Sequence, residues 1–315
     1  MTRHSKRIAS LLALLTIAWP LLVASVAQEQ ASKEPVFIAV DHASFCGSNL
    51  DSMRQAFAGV GLTSDYGGPH SNGVTHMALL GFSNGSYLEL IAPQNAGLVE
   101  GSPWAKLMAG DAGPCAWAVE PDDIQQEVAR LKRAAIAVTG PQPGSRKRPD
   151  GMSVQWQIAD LGSGTPGSML PFLIQDRTPR AWRVQPSPSL ANSALTGIAA
   201  VVLGVNDLNA TSALFQRAFQ WAPPITEEHK DFDAKLAYFP GTPVILAAPA
   251  NGHFWLSDRL QKFGEGPVAY LLLTQNFSAA EKEYHLSGTK TWFGQRVAWF
   301  DARKLKGWRL GAIGQ

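Results

Sequence analysis

An order of elements that recurs along the chain constrains the fold more than any other feature. Residues 36–45 form an apolar, β-branched run, and a Gly-Ser-Asn turn leads into apolar side chains at helical spacing over residues 50–60. Two further apolar runs, residues 74–82 and 87–92, meet at Ser-Asn-Gly, which is typical of a hairpin turn. This stretch therefore predicts a unit made of a strand, a helix and then further strands.

The same order returns three more times, in residues 114–175, 198–248 and 268–312. A repeat of about 60 to 80 residues is longer than the repeats of solenoids, so we expect the units to pair into compact domains. Strands and helices in this order place the chain in the α+β class.

The composition of the stretch between the second and third units predicts a linker. Residues 177–194 contain three prolines and lack any periodicity. We therefore expect one domain over residues 35–176 and a second, degenerate domain of the same type over residues 195–315.

The N-terminal segment has the layout of an export signal. Three basic residues among the first seven precede an apolar run over residues 8–24, and Ser25 and Ala27 suit the −3 and −1 sites of a signal peptidase. We expect residues 1–27 to be cleaved and the protein to be exported to the periplasm or the medium. The alternative is an uncleaved anchor, because the apolar run is close to the lower limit for a membrane-spanning helix.

Removal of that signal brings the charge close to balance. The whole chain has 27 Lys and Arg residues against 25 Asp and Glu residues, and residues 28–315 have 24 against 25. Such a surface gives no electrostatic footprint for nucleic acid or for an anionic membrane, so we expect neither as a partner after cleavage. The oligomeric state stays open.

Cys46 and Cys115 are the two cysteines of the chain. In an exported protein they favour a disulfide, and the alternative is a pair of separate buried thiols.

Several short stretches together resemble the glyoxalase-like proteins of the vicinal oxygen chelate superfamily. They are Asp41-His42, residues 67–70, 75–80 and 87–91, residues 146–151, Trp156, and residues 170–174. The resemblance covers residues 36–176, and the second half of the chain matches only in its pattern. It implies domains in which two βαβββ units pair around a concave sheet.

In that superfamily, the metal ligands come from the first and last strands of each unit. His42 and Glu89 occupy such positions here. The nearest matching positions of the later units hold side chains that cannot bind a metal: Ala116, Phe172, Ala200 and Ile245. The resemblance therefore implies an incomplete metal site.

Strand alternation suggests which polar groups could meet. It places His42 on an apolar face with Val40, Glu89 on a face with Tyr87, and His76 on the neighbouring strand. Two histidines and one carboxylate can hold one divalent metal ion with open positions. The alternative, which we favour, is a weak or metal-free site in which His42 and Glu89 satisfy each other by hydrogen bonding.

Four further residues are candidates for binding a substrate. Arg146 and Arg148 lie on a loop of the resemblance and suit a carboxylate or phosphate of a small ligand. His70 and Trp156 could cover and line the same opening. The alternatives are solvated loop charges for the arginines and a core position for Trp156.

The sequence leaves two main functional hypotheses. One is a small-molecule enzyme with lyase or isomerase-type chemistry, in which Glu89 acts as general base or metal ligand beside His42. The other is a protein that binds or sequesters a small molecule without chemistry. A partner-binding role for the second domain is a third hypothesis, and the substrate does not follow from the fold.

Overall fold

The computed structural model describes residues 34–95, 100–250 and 254–314, so the predicted signal, residues 1–27, lies outside the described residues. The first half contains β1 (Val40–Cys46), α1 (Leu50–Ala58), β2 (Asp65–Pro69), β3 (Thr75–Gly81), β4 (Tyr87–Pro93), α2 (Ala105–Ala109), β5 (Gly113–Val119), α3 (Ile124–Arg133), β6 (Val138–Lys147), β7 (Ser153–Leu161) and β8 (Phe172–Asp176). A short helix, α4 (Arg180–Arg183), follows.

The second half repeats the order of the first. It contains β9 (Leu195–Gly204), α5 (Leu208–Phe219), β10 (Ile225–His229), β11 (Ala234–Tyr238), β12 (Val244–Pro249), α6 (Trp255–Phe263), β13 (Gly266–Thr274), α7 (Phe277–Glu283), β14 (Ser287–Trp292), β15 (Gln295–Trp299) and β16 (Arg309–Gly314). No helix among the described residues is long and apolar enough to cross a membrane.

The strands form two eight-stranded sheets of identical topology. Their orders are β2-β3-β4-β1-β5-β8-β7-β6 and β10-β11-β12-β9-β13-β16-β15-β14. In each sheet the first strands of the two units run antiparallel at the centre, and each pairs in parallel with the last strand of its own unit. The prediction of an α+β fold built from paired βαβββ units is confirmed.

The main helices begin where the sequence supplies a capping side chain. Asn49 accepts a hydrogen bond from the backbone N–H of Ser52 at the start of α1. Asp123 and Asp207 accept equivalent hydrogen bonds from backbone N–H groups in the first turns of α3 and α5. Apolar residues at helical spacing then bury one face, as Leu50 and Phe57 do in α1. These helices cover one face of each sheet and leave the other face concave.

A shared core joins the two sheets through their helix-covered faces. One apolar cluster contains Phe45 of β1 together with Leu272 of β13. At its centre lies the buried Tyr270 of β13, whose hydroxyl is 2.9 Å from the carbonyl oxygen of Ser44 and 2.8 Å from that of Ala116. The Tyr270 hydroxyl of the second sheet therefore hydrogen-bonds to both β1 and β5 of the first sheet. We call this contact the Tyr270 anchor.

The first sheet curls until its outer strands meet. Residues His70 and Arg146 form an isolated bridge between the β2 and β6 sides. The guanidinium of Arg146 also donates a hydrogen bond of 2.7 Å to the carbonyl oxygen of Gly67. The concave face of this sheet is thus closed almost to a barrel.

Candidate functional site

The site lies on the concave face of the first sheet, which we call the first cup. It is lined by His42, Ser44, Tyr87, Glu89, Ile91 and Phe172. The pairing of β1 with β4 sets His42 opposite Tyr87 and Ser44 opposite Glu89, so these four side chains form one patch.

A bulge in β1 decides which side chains enter the first cup. Val40 packs with Phe45 in the helix-side core, although strict alternation would put them on opposite faces. The pairing with β5 shifts register between Val40 and His42, so Asp41 is the extra residue. The expectation that His42 shares a face with Val40 is therefore wrong, and His42 instead shares the cup face with Ser44.

Asp41 fixes the orientation of the His42 ring. Its Oδ1 lies 2.5 Å from Nδ1 of His42, and it accepts a bidentate pair of hydrogen bonds of 2.9 and 2.8 Å from Arg183. Burial alone would raise the pKa of Asp41, but the charge and hydrogen bonds of Arg183, with those of His42, lower it well below its usual value of 3.8. An ionised Asp41 only accepts hydrogen bonds, so Nδ1 of His42 carries a proton.

The His42 ring is enclosed by aromatic side chains. It stacks on Tyr87 at 4.7 Å between ring centroids and meets Phe172 edge-on at 5.3 Å. Only 3% of the residue is exposed. Within the described chain, no hydrogen-bond partner of its Nε2 is found, so this nitrogen is unengaged inside the first cup.

Glu89 is held as a buried carboxylate. Ser44 donates a hydrogen bond of 2.8 Å to Oε2, and Nε2 of His70 lies 3.4 Å from Oε1. Burial alone would raise the pKa of Glu89, but the hydrogen bond and charge of His70, the charge of His42 and the Ser44 hydroxyl lower it to about 2. A carboxylate with so low a pKa is a weak base near neutral pH.

The two other predicted histidines fall on different sides of the sheet. His70 contacts Glu89, and its Nδ1 lies 2.8 Å from Oγ1 of Thr75. His76 shares the helix-side face of β3 with Ala78, and burial lowers its pKa. The structure therefore brings His70, and not His76, to the carboxylate.

The predicted substrate-binding residues are placed as follows. Arg146 is buried and donates hydrogen bonds to the carbonyl oxygens of Gly67 and Arg183, at 2.7 and 2.6 Å. Arg148 is partly exposed and pairs with Asp150 at 2.8 Å. Both arginines line a cavity of about 450 Å³ beside the seam between β2 and β6. Trp156 is half-buried against the apolar part of the first cup.

One end of the first cup is filled by a segment that we call the plug, residues 180–184. Arg183 is buried there and donates to Asp176 at 2.6 and 3.0 Å and to the Tyr87 hydroxyl at 2.8 Å, besides its pair with Asp41. Arg180 also contacts Asp41 and donates to Glu120 at 3.0 Å.

Sequence reasoning missed the plug, Asp41 and Ser44. Residues 177–194 read as a linker because local periodicity is absent there. The available signal was the pair Arg180 and Arg183, three residues apart in an otherwise uncharged turn of chain.

Cys46 and Cys115 are joined by a disulfide with their Cα atoms 5.8 Å apart. The bond links β1 to β5 at the apolar end of the first cup, where both sulfurs are buried.

The residues present do not fit the divalent metal that the resemblance implies. His42 has only Nε2 available for a metal, and His76 lies on the other face of the sheet. At the matching positions, the facing strands have the apolar side chains Ala116 and Phe172. Across the described ranges, no group of three or more His, Cys, Asp or Glu side chains is arranged to hold a metal ion. We therefore derive no chemical step through a metal.

At the matching positions, the described part of the second sheet has no such donors. Ala200 and Ile245, the nearest matches predicted from the sequence, are both buried and apolar. The pairing of Val202 with Ile245 corresponds to that of His42 with Tyr87, so an isopropyl group stands where the first sheet has an imidazole.

The sequence Gly81-Phe82-Ser83-Asn84-Gly85 has the spacing of a serine-hydrolase nucleophile motif. That motif needs a sharp turn from a strand into a helix. Here the residues form the hairpin between β3 and β4, and Ser83 donates to the carbonyl oxygen of Thr196 at 3.5 Å. The structure does not support a nucleophilic role for Ser83.

Comparison with known proteins identifies the class. A family model described as a glyoxalase-like domain matches residues 40–219, which is more than half of the chain. The chain therefore belongs to the glyoxalase-like domain family. No curated protein matches the sequence significantly.

Solved structures share the fold at low sequence identity. A hypothetical protein from Staphylococcus aureus has 15% identity and a TM-score of 0.57 over 88% of this chain and 99% of its own. A mutant of 4-hydroxymandelate synthase from Streptomyces coelicolor has 12% identity and a TM-score of 0.57 over 89% and 92%. Methylmalonyl-CoA epimerase from Mycobacterium tuberculosis has 18% identity and a TM-score of 0.34 over 39% and 91%. At these identities the first two likenesses show the fold alone, and the third, with its TM-score of 0.34, carries no argument.

The substitution Arg183→Ala should lower the free energy of unfolding by about 3 to 5 kcal/mol, because it leaves Asp41 and Asp176 buried without their partner. Chemical denaturation measures this change. The exposed Arg177 offers a matched control, and Arg177→Ala should stay within about 0.5 kcal/mol of the parent protein. Equal losses in the two variants would contradict the role of the plug.

Glu89 should make stability depend on pH in the acid range. Its pKa falls from the usual 4.5 to about 2 on folding, so its contribution is complete above pH 4.5 and is lost as the pH falls toward 2. The stability advantage of the parent protein over Glu89→Gln should therefore shrink by about 3 kcal/mol between pH 6 and pH 2. Denaturation at several pH values measures it. For the exposed Glu228→Gln the difference should stay constant, and a constant difference for Glu89→Gln would refute the assignment.

Proposed function

We propose that the first cup binds a small organic molecule and that His42 moves a proton on it, as in lyase or isomerase-type reactions. The observation that carries the proposal is the Asp41–His42 pair, which leaves Nε2 of an oriented imidazole unengaged within the cup. Imidazole is the side chain that ordinarily exchanges protons near neutral pH. A carboxylate that holds the other ring nitrogen orients the base and stabilises the imidazolium that forms.

Glu89 has a different role in this proposal from the one expected from the sequence. With a pKa of about 2 it stays ionised and binds protons too weakly to serve as the base. We propose that it is a fixed negative charge that stabilises the protonated His42 ring and binds a hydroxyl or ammonium group of the ligand. His70 and Ser44 keep it in place.

The ligand we propose is small and carries an anionic group. Arg146 and Arg148 line the cavity of about 450 Å³ at the seam of the sheet, together with Arg183. Arg146 and Arg183 already bind buried acceptors, so the partly exposed Arg148 is the group that would bind a carboxylate or phosphate, in place of Asp150. The apolar part of the first cup, with Trp156 and Phe172, suits the remainder of the molecule.

Burial supports a second candidate, a protein that binds the molecule without chemistry. His42 and Glu89 are only 3% and 8% exposed, and the plug occupies one end of the first cup. A ligand reaches these groups only if the plug or another wall moves. A binding protein uses such closure for retention, whereas an enzyme must also reopen to release its product.

We also propose that the chain is exported and cleaved after Ala27. The order of basic residues, apolar run and small residues supports it, and so does the disulfide, since such bonds persist in oxidising compartments. N-terminal sequencing of the protein recovered from the periplasm or the medium should begin at Gln28. Recovery of the chain in the membrane with residues 1–27 attached would support the uncleaved anchor instead.

Proton transfer can be tested without knowledge of the natural substrate. The protein is incubated in D2O with a panel of 2-oxo acids, ketones and acyl thioesters, and ¹H NMR follows the replacement of α-protons by deuterium. His42→Gln should slow the exchange by about 100-fold or more, because it removes the base. His76→Gln is the matched control and should leave the rate unchanged, since that ring lies on the other face of the sheet.

Three results would change the assignment. Equal rates in the parent protein and His42→Gln would remove His42 from the reaction. Line broadening of a panel compound without any exchange would favour the binding protein. Stoichiometric metal in the purified protein, lost in His42→Ala, would restore the metal-assisted chemistry that the resemblance implies.

A further inference from the structure

We infer that the concave face of the second sheet, which we call the second cup, holds a separate binding site for an uncharged aromatic molecule. A cavity of about 480 Å³ lies there, within the size range of ligand pockets. It lies near the beginnings of β9 and β12 and the end of β16, where Ala200, Ile245 and Ile313 border it.

The two sheets have the same topology, so their positions can be compared. The cavity in the second cup lies at the position that the plug fills in the first cup. Tyr87 pairs with His42 across β4 and β1, and Ile245 pairs with Val202 across β12 and β9. Arg183 of the plug reaches Tyr87 at the beginning of β4. The cavity borders the corresponding residue, Ile245, so a space that the chain fills in the first cup is open in the second.

The ends of β8 and β16, the last strands of the two sheets' second units, show the same relation between the plug and the cavity. Ala118 pairs with Phe172 in the first sheet, and Ala269 pairs with Arg309 in the second. Four residues further along each last strand lie Asp176, which binds Arg183, and Ile313, which borders the cavity. The polar anchors of the plug are thus replaced by aliphatic side chains.

The lining of the cavity determines the charge of its ligand. Among the described residues, none that lines the cavity is charged. Its walls combine the polar Asn84, Thr242 and Gln295 with the apolar or aromatic Ile245, Trp292 and Phe293. A charged ligand would lose its hydration there without gaining a partner of opposite charge. The site therefore selects a neutral molecule with a large apolar surface.

The aromatic side chains form a supported wall. The rings of Tyr238 and Phe293 are 5.2 Å apart, and Trp292 packs against Phe232 at 4.9 Å and Trp299 at 5.6 Å. Such a wall is held in place before a ligand arrives, which lowers the entropic cost of binding. Flat aromatic ligands gain most from stacking on it.

The Tyr238 hydroxyl, one of several polar groups at the cavity, adds a further feature of the ligand. The hydroxyl of Tyr238 accepts a hydrogen bond of 3.1 Å from the backbone N–H of Gly241. Among the described residues no acceptor of its proton is found, so it can donate to a ligand. The ligand is therefore an uncharged aromatic molecule with an acceptor such as a carbonyl oxygen.

Nile red, which is uncharged, aromatic and carries a carbonyl group, is the probe for this site. The whole protein should bind one Nile red per chain, measured by the rise in its fluorescence and by equilibrium dialysis. Ala199→Trp fills the cavity from a half-buried lining position and should weaken binding at least about tenfold. Ala222→Trp, at an exposed position outside the lining, is the matched control and should bind as the parent protein does.

Two further variants keep the test decisive. Tyr238→Phe should weaken binding roughly fivefold through the lost hydrogen bond. If Ala199→Trp does not fold, as judged by its thermal melt, Gln295→Trp fills the same cavity from another wall. Absence of binding to the whole protein, or unchanged affinity in a folded variant with a filled cavity, overturns the inference.

Discussion

The ion pair between Arg183 and Asp41 is the interaction on which the first cup depends. Taking both charges out of water is costly, and the cost is offset because the guanidinium also binds Asp176 and Tyr87. The pair keeps Asp41 ionised, and the ionised carboxylate determines which nitrogen of His42 carries a proton. The same ion pair therefore holds the plug in the cup and fixes the tautomer of the His42 imidazole.

The architecture could be predicted because its signals are local. Each βαβββ unit carries its own apolar runs, capping residues such as Asn49 and Asp123, and a hairpin turn. Repetition of these signals four times implied two sheets of the same topology. The contact between the sheets was not predicted, because a buried hydroxyl such as that of Tyr270 has no signature in sequence spacing.

The candidate site was predicted in part. His42 and Glu89 do lie on one face, at adjacent positions of paired strands. The predicted alternation of side chains between the two faces of β1 is interrupted by a bulge at Asp41. That bulge depends on how β5 pairs with β1 and not on the residues of β1 alone. The plug was not predicted for a similar reason, because two of the three strands whose side chains bind Arg183 are distant in sequence.

The Tyr270 anchor limits how this protein can be divided. Its hydroxyl, carried by the second half, satisfies carbonyl groups of Ser44 and Ala116 and the N–H of Cys115 in the first. If a chain cut within residues 177–194 separated into its halves, the apolar core around those groups would be exposed to water. The two halves therefore depend on each other, although the second cup has Val202 where the first has His42.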